Sequence, residues 1–137
     1  MNSYDFRSKM KYADLTEVIL QCAFDVINEL GAGFLESVYQ NALSLALMQA
    51  GLYVNMHYPI NVIFRKESVG EFYADILVDK KIIVELKAVK ELAPEHQAQV
   101  INYLKATGIE VGLLINFGNQ KLQYKRLIRN LDFENKF

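Results

Sequence analysis

The sequence predicts an α/β (α+β) fold in which a mixed β-sheet is flanked by helices, with the element order ααβββαββ. Three observations predict it. Apolar residues recur at helical spacing over roughly residues 15–50, and aliphatic or β-branched runs dominate 53–87 and 111–131. A further helical pattern at 94–107 separates two of those runs, so it serves as the crossover joining the strands at 82–87 and 111–117 as parallel neighbours.

The first helix is read from Leu15, Val18, Ile19, Cys22, Val26, Ile27 and Leu30, with Asp14 and Glu17 in the form of a capping box and Gly31 as its end. After a break at Ala32-Gly33, Phe34 to Ala50 restarts the pattern through Leu35, Val38, Tyr39, Ala42, Leu43, Ala46 and Leu47, and Gly51 stops it. Tyr53 to Phe64 turns strand-like, with Pro59 marking an edge position or a bulge, because proline cannot donate to a ladder. Arg65 to Gly70 reads as a turn. Residues 72–87, FYADILVDKKIIVELK, form a hairpin around the polar Asp79-Lys80-Lys81. Pro94 and Glu95 open the crossover helix, which Gly108 ends. Val111 to Phe117 is apolar enough to be covered on both faces, and a last strand is expected at about Leu122 to Leu131.

With 137 residues, 52% hydrophobic and 23% charged, the chain can bury a core as one soluble domain over 13–137. The mixed, polar stretch 1–12, with Arg7, Lys9 and Lys11, is expected to be a flexible or loosely docked tail. A single cysteine, Cys22, excludes an internal disulfide or a cysteine-rich metal cluster. No apolar leader and no run approaching 18 apolar residues is seen, so a cytoplasmic protein without a membrane span is expected. A net charge of −1 and a pI near 6.1 argue against a general nucleic-acid coat protein but leave room for a local basic patch.

The hairpin holds the chemistry. With 79–81 as a three-residue loop, Val78 pairs with Ile82, Asp75 falls opposite Glu85, and Lys87 joins them on the same face two residues on. Ile76, Val78, Ile82, Val84 and Leu86 make the opposite face apolar, and Leu77 and Ile83 keep even the charged face apolar near the loop. Two readings stand: a salt-bridged, solvated sheet face, or a site for a divalent cation, since carboxylates are costly to desolvate without a partner. Carboxylate oxygens select a hard ion, Mg²⁺ or Mn²⁺, over zinc. His57 and His96 have no second ligand at suitable spacing and are expected at a strand edge and in a first helical turn. With a metal bound, Lys87 would stabilise charge on an attacked phosphate or orient a water, which describes phosphodiester hydrolysis.

Asp75 followed by Glu85-Leu86-Lys87 resembles the core of the PD-(D/E)XK nuclease superfamily, with Ala74 where the name has proline. Gly33-Phe34-Leu35-Glu36-Ser37-Val38-Tyr39 is similar to the signature of the GxxExxY protein family within it, and the resemblance extends over residues 13–129, including ADILV and IIVELKAV. It implies a restriction-endonuclease-like core whose hairpin supplies metal ligands from Asp75, Glu85 and the Leu86 carbonyl, with a further acid, here Glu36, from the preceding helix. It also implies a Gln-x3-Tyr motif, matched by Gln99 and Tyr103, whose i, i+4 spacing puts both on one helix face. The chain departs from relatives at Ala32, where proline is frequent, at Gln40, where an acid is common, and at Ile27, where histidine is frequent.

Lys90, Lys105, Lys121, Lys125, Arg126 and Arg129 either border such a site or form a solvated surface, and Tyr53, Tyr58 and Tyr73 either stack on bases or pack within strands. The resulting expectation is a Mg²⁺-dependent nuclease acting on nucleic acid, DNA in the first place. The alternative is a non-catalytic nucleic-acid- or protein-binding module that keeps the fold. A homodimer built on the first helix or last strand is compatible with either.

Overall fold

The computed structural model describes residues 12–129. The expected tail, up to residue 11, and the end of the last expected strand at Leu131 lie outside them. The described elements are α1 (Ala13–Leu30), α2 (Glu36–Gln49), β1 (Val54–Phe64), β2 (Glu67–Val78), β3 (Ile82–Lys87), α3 (Pro94–Thr107), β4 (Val111–Asn116) and β5 (Gln123–Ile128). The predicted ααβββαββ order holds. The strands form one sheet in the order β1-β2-β3-β4-β5, antiparallel except for the β3–β4 pair, which α3 connects as a parallel crossover.

The sheet is covered on both faces. On one, α1 and α2 bury Ile19, Cys22, Val26, Leu43 and Leu47 against Ile76, Val78, Ile82, Val84 and Leu86. On the other, Val100, Tyr103 and Leu104 of α3 pack on Ile60, Ala74, Leu77, Ile83, Leu114 and Leu127. Every residue of β4 is buried, as its apolar run predicts. Gly112 lets α3 sit close to β4, because a Cβ there would lie 2.5 Å from Val100 Cγ1.

Four local expectations need correction. The helix α1 starts one residue before Asp14, with Tyr12 at its N-cap in the left-handed region (φ 56°), so the Asp14 capping box is not formed. The start of α2 is Glu36 rather than Phe34, because Leu35 is extended at the N-cap. The turn expected over 65–70 is only Arg65-Lys66, both with positive φ (51° and 71°), as in the tight hairpin turns that match strand twist. Polar Glu67, Ser68 and Gly70 are therefore in β2, paired with Phe64, Ile63 and Val62. The last strand ends at Ile128. Pro59 does lie in an edge strand, opposite Tyr73.

Candidate active site

The hairpin register is as expected: Val78 pairs with Ile82 and Ile76 with Val84. One step further, side chains replace the ladder. The Asp75 N–H donates to Glu85 Oε1 at 2.7 Å, and the Leu86 N–H donates to Asp75 Oδ2 at 2.8 Å. The two carboxylates thus clasp the strands across the point where they separate. Glu85 is 3% exposed, flanked by Leu114 on β4 and by the α3 core.

The β1 side of Asp75 is also irregular. The register runs from Met56↔Ile76 to Tyr58↔Ala74 without a His57–Asp75 pair, and His57 is left-handed (φ 53°). The Asp75 carbonyl is taken instead by Gln40 of α2, whose Nε2 donates to it at 3.0 Å and stands 3.5 Å from His57 Nδ1. Ala74 and Leu77 both face α3, three residues apart, so strict alternation slips at this point.

Burial raises both carboxyls, since desolvation disfavours the charged form. Glu85 is pushed up to about 8, first by burial and then by the Asp75 charge, against the Asp75 hydrogen bond and the Lys87 ammonium. Asp75 is raised by burial and by Glu36, and opposed by the Leu86 hydrogen bond, Lys87 and His57. These mutual effects place Glu36, Asp75, Glu85 and Lys87 in one electrostatic cluster. Lys87 is half-buried, and among the described residues it forms no salt bridge, so it acts on the pair through space.

The elbow before α2 aims Glu36. Tyr39, fully buried, stacks on Phe117 with ring centroids 4.9 Å apart; its hydroxyl donates to the Gly31 carbonyl at 2.7 Å and accepts the Phe34 N–H at 3.1 Å. Gly33, at φ 116°, turns the chain within that loop, in a conformation only glycine adopts readily. Glu36 then accepts the Ala88 N–H at 3.3 Å, just past Lys87. From the other face, Gln99 Nε2 donates to Tyr103 Oη at 3.1 Å, and the Tyr103 phenol is raised by burial and by the charges of Glu85 and Asp75. Of the six side chains singled out from the sequence, Asp75 and Glu85 are joined through each other's strands and Gln99 is bonded to Tyr103, while Glu36, Lys87 and Tyr103 reach the acid pair through their charges or its own. Leu86 contributes its main chain, its side chain being buried in the α1/α2 core.

Asn116, fully buried, was missed. Its Oδ1 accepts the N–H groups of Val89 and Gly118 at 3.0 and 2.9 Å, and its Nδ2 donates to the Val89 carbonyl at 2.9 Å and Gln123 Oε1 at 3.0 Å. With the Phe117 N–H donating to the Lys87 carbonyl, this fixes the segment that follows Lys87. Only its polarity inside the apolar run VGLLINFG marked it. The approach is so close that a Cβ on Gly118 would lie 1.9 Å from the Val89 carbonyl oxygen.

Other candidates fall elsewhere. His57 is exposed on the edge strand, and His96 accepts the Ala93 N–H to cap α3. Tyr53 sits by the hairpin loop, where its N–H donates to Asp79. Tyr58 packs against the α3 core, and exposed Tyr73 donates to Glu71. The basic residues do not form one patch: Lys105 lines a cavity beside α3, whereas Arg126 lines one beside α1.

For a metal, the donor set is hard oxygen. Asp75 Oδ1 and Glu85 Oε2 accept no hydrogen bond among the described residues, and two carboxylates so crowded that both are raised suit a divalent cation. Among the described residues, however, no group of three or more His, Cys, Asp or Glu side chains is already gathered at metal-holding distance, so Glu36 is not closed onto the pair. No described helix is long and apolar enough to cross a membrane.

A comparison with curated proteins finds no match. Among solved structures, the alkaline exonuclease from Laribacter hongkongensis is similar with a TM-score of 0.54 at 14% identity, over 73% of this chain and 59% of that one. The protein SSO0001 is similar with a TM-score of 0.51 at 15% identity, over 94% of this chain and 65% of that one. The chain thus spans less than two thirds of either structure, and at these identities the likeness is one of fold, in keeping with a restriction-endonuclease-like sheet. The model of the PD-(D/E)XK nuclease superfamily matches residues 13–127, nearly the whole of the described region, and the chain belongs to that superfamily.

Proposed function

We propose that the protein is a metal-dependent nuclease that hydrolyses phosphodiester bonds in DNA, with Mg²⁺ or Mn²⁺ as its ion. The observation that supports this most is the Asp75–Glu85 clasp: each carboxylate ties one oxygen to the opposite strand and leaves the other open, beside Lys87 and Glu36. Members of the superfamily generally use divalent metal ions. Asp75, Glu85, the Leu86 carbonyl and, directly or through water, Glu36 would hold one, and it would supply Lewis-acid polarisation and charge neutralisation.

The remaining work falls to the chain's own groups. Lys87 Nζ, a donor to anions and to lone pairs, holds an oxygen of the scissile phosphate or orients the attacking water. Gln99 and Tyr103 hold the phosphate or orient Lys87, and the raised phenol keeps Tyr103 protonated at neutral pH, so it can donate to an anion. Gly33, Glu36 and Tyr39 support placing the chain in the GxxExxY branch, since that signature's glycine, acid and tyrosine form the elbow that directs Glu36 to the site. Residues 13–137 are proposed as a single, cytoplasmic domain. Exposed Val18, Phe24 and Leu30 on α1 and Tyr124 on β5 support a homodimer, which gel filtration would reveal.

The test is cleavage of single-stranded, duplex and branched DNA with Mg²⁺ or Mn²⁺. At least one is expected to be cut, and cutting that survives Asp75→Ala undiminished contradicts the assignment. One observation favours a second reading, a non-catalytic binding module: the absence, among the described residues, of an assembled three-ligand group. Calorimetric titration separates the two, because a module would take up no Mg²⁺ with or without DNA.

A further inference from the structure

The strand β2 runs from Glu67, but it pairs with β3 only through Ile76–Val78, so its first part and the facing part of β1 project as a two-stranded arm. Between this arm and α3 lies a groove of about 730 Å³. The arm's wall is apolar, built from Val62, Ile63 and Phe72, and α3 adds Ala98 and Ala106 among polar residues. Successive strand residues normally face opposite sides, yet Val62 and Ile63 both line this groove, and the β1–β2 register shifts between them. The bulge thus adds a second apolar side chain to one wall.

The groove is continuous with the candidate active site, because Gln99 and Tyr103 belong to both. The Phe72 ring is 48% exposed and stands 6.1 Å from the Tyr103 ring, so it presents a free aromatic surface beside the residue that senses Asp75 and Glu85. The polar groups all come from α3: Gln99, Asn102 and Tyr103 within the groove, and Lys105 and Glu95 ten positions apart, about 15 Å along the helix. A phosphate backbone is therefore drawn to the Lys105 end and repelled from the Glu95 end. The volume suits one small ligand, for which roughly 300–1,000 Å³ is typical. A base can reach it only when it is out of the stack, as in a single strand or a frayed end.

We propose that this groove takes an unstacked nucleobase of the strand being cut, stacked on Phe72 and hydrogen-bonded at its edge by Asn102, so that the protein prefers single-stranded or frayed ends to intact duplex. This rests on the nuclease reading and specifies its substrate. A stacked base tolerates any sequence, because every base offers a π-face.

The test measures binding separately from cleavage. In an Asp75→Asn background, fluorescence anisotropy with a labelled single-stranded 12-mer is compared for the parent, Phe72→Ala and Phe72→Tyr in Mg²⁺. Phe72→Ala is expected to raise Kd roughly five- to hundredfold, the span of one lost base–aromatic stack, while Phe72→Tyr stays near the parent. The same 12-mer as a duplex should bind the parent more weakly and lose little on Phe72→Ala. An unchanged Kd for the single strand, or an equal loss for single strand and duplex, overturns the proposal. If Asp75-dependent cleavage is found but Phe72→Ala binds normally, the groove assignment fails and the nuclease reading stands. If no nucleic acid is cut yet binding depends on Phe72, the reverse holds.

Discussion

Asp75 and Glu85 each tie a side chain to the other's strand: the N–H of Asp75 donates to Glu85 Oε1 at 2.7 Å, and Asp75 Oδ2 receives the N–H of Leu86, the next residue along from Glu85. The backbone pairing that would otherwise close this end of the hairpin is exchanged for two buried acids with an oxygen each to spare. That exchange gives the pair its chemistry and leaves it electrostatically unfavourable when no cation is bound.

The first prediction concerns pH. Glu85 is raised from an ordinary 4.5 to about 8 in the folded protein, so between those values the folded state keeps a proton that the unfolded state has released. Stability in metal-free buffer should therefore fall as pH rises through this window, with Asp75 and Glu85 titrating as a pair. Glu85→Gln should flatten the fall, and Mg²⁺ should restore most of what is lost at the alkaline end. Thermal melts in a chelator across pH check this; a flat or rising profile for the parent protein would count against it.

A second prediction follows from the Tyr39 hydroxyl, which joins the Gly31 carbonyl and the Phe34 N–H in the elbow ahead of Glu36. Tyr39→Phe removes both bonds without emptying the stack on Phe117, so a loss of about 1–2 kcal/mol is expected in chemical denaturation. If the elbow serves to aim Glu36, Tyr39→Phe and Glu36→Gln should be non-additive in turnover, the second adding little to the first. Independent, additive effects would reduce Tyr39 to a packing residue.

Much of this arrangement is legible in the sequence, and what is missed has a common cause. Helical and strand periodicity located the elements, and the length of the Asp79-Lys80-Lys81 loop set the Val78–Ile82 register that brings Asp75 towards Glu85. Glu67 to Gly70 read as turn because their polarity is that of an exposed arm, where composition does not separate strand from loop. Gln40 and Asn116 gave no signal of their roles, because each satisfies backbone groups 35 and 27 residues away, contacts that no local pattern encodes. The left-handed His57, which opens the ladder beside Asp75, is equally a product of tertiary packing.

Asn116 leads to a third prediction. Four hydrogen bonds converge on this buried amide, and three of them tie Val89, in the segment after Lys87, to Gly118, just past β4. Asn116→Ala should cost about 3 kcal/mol of stability, because it leaves several buried backbone groups unpaired. At a temperature where the variant is still folded, its turnover should fall more than its KM changes, since the segment's tether and not a substrate contact is lost. Kinetics alongside circular dichroism would show the split; a rise in KM alone would mean that Asn116 meets substrate.

The most direct measurement is single-turnover DNA cleavage in Mg²⁺ by the parent protein and Lys87→Ala, with Mg²⁺ binding followed by calorimetry on both. Lys87 acts on the phosphate or the water and is no metal ligand, so its loss should slow cleavage roughly a hundredfold or more while Mg²⁺ still binds. Cleavage by Lys87→Ala at the parent rate would contradict the account.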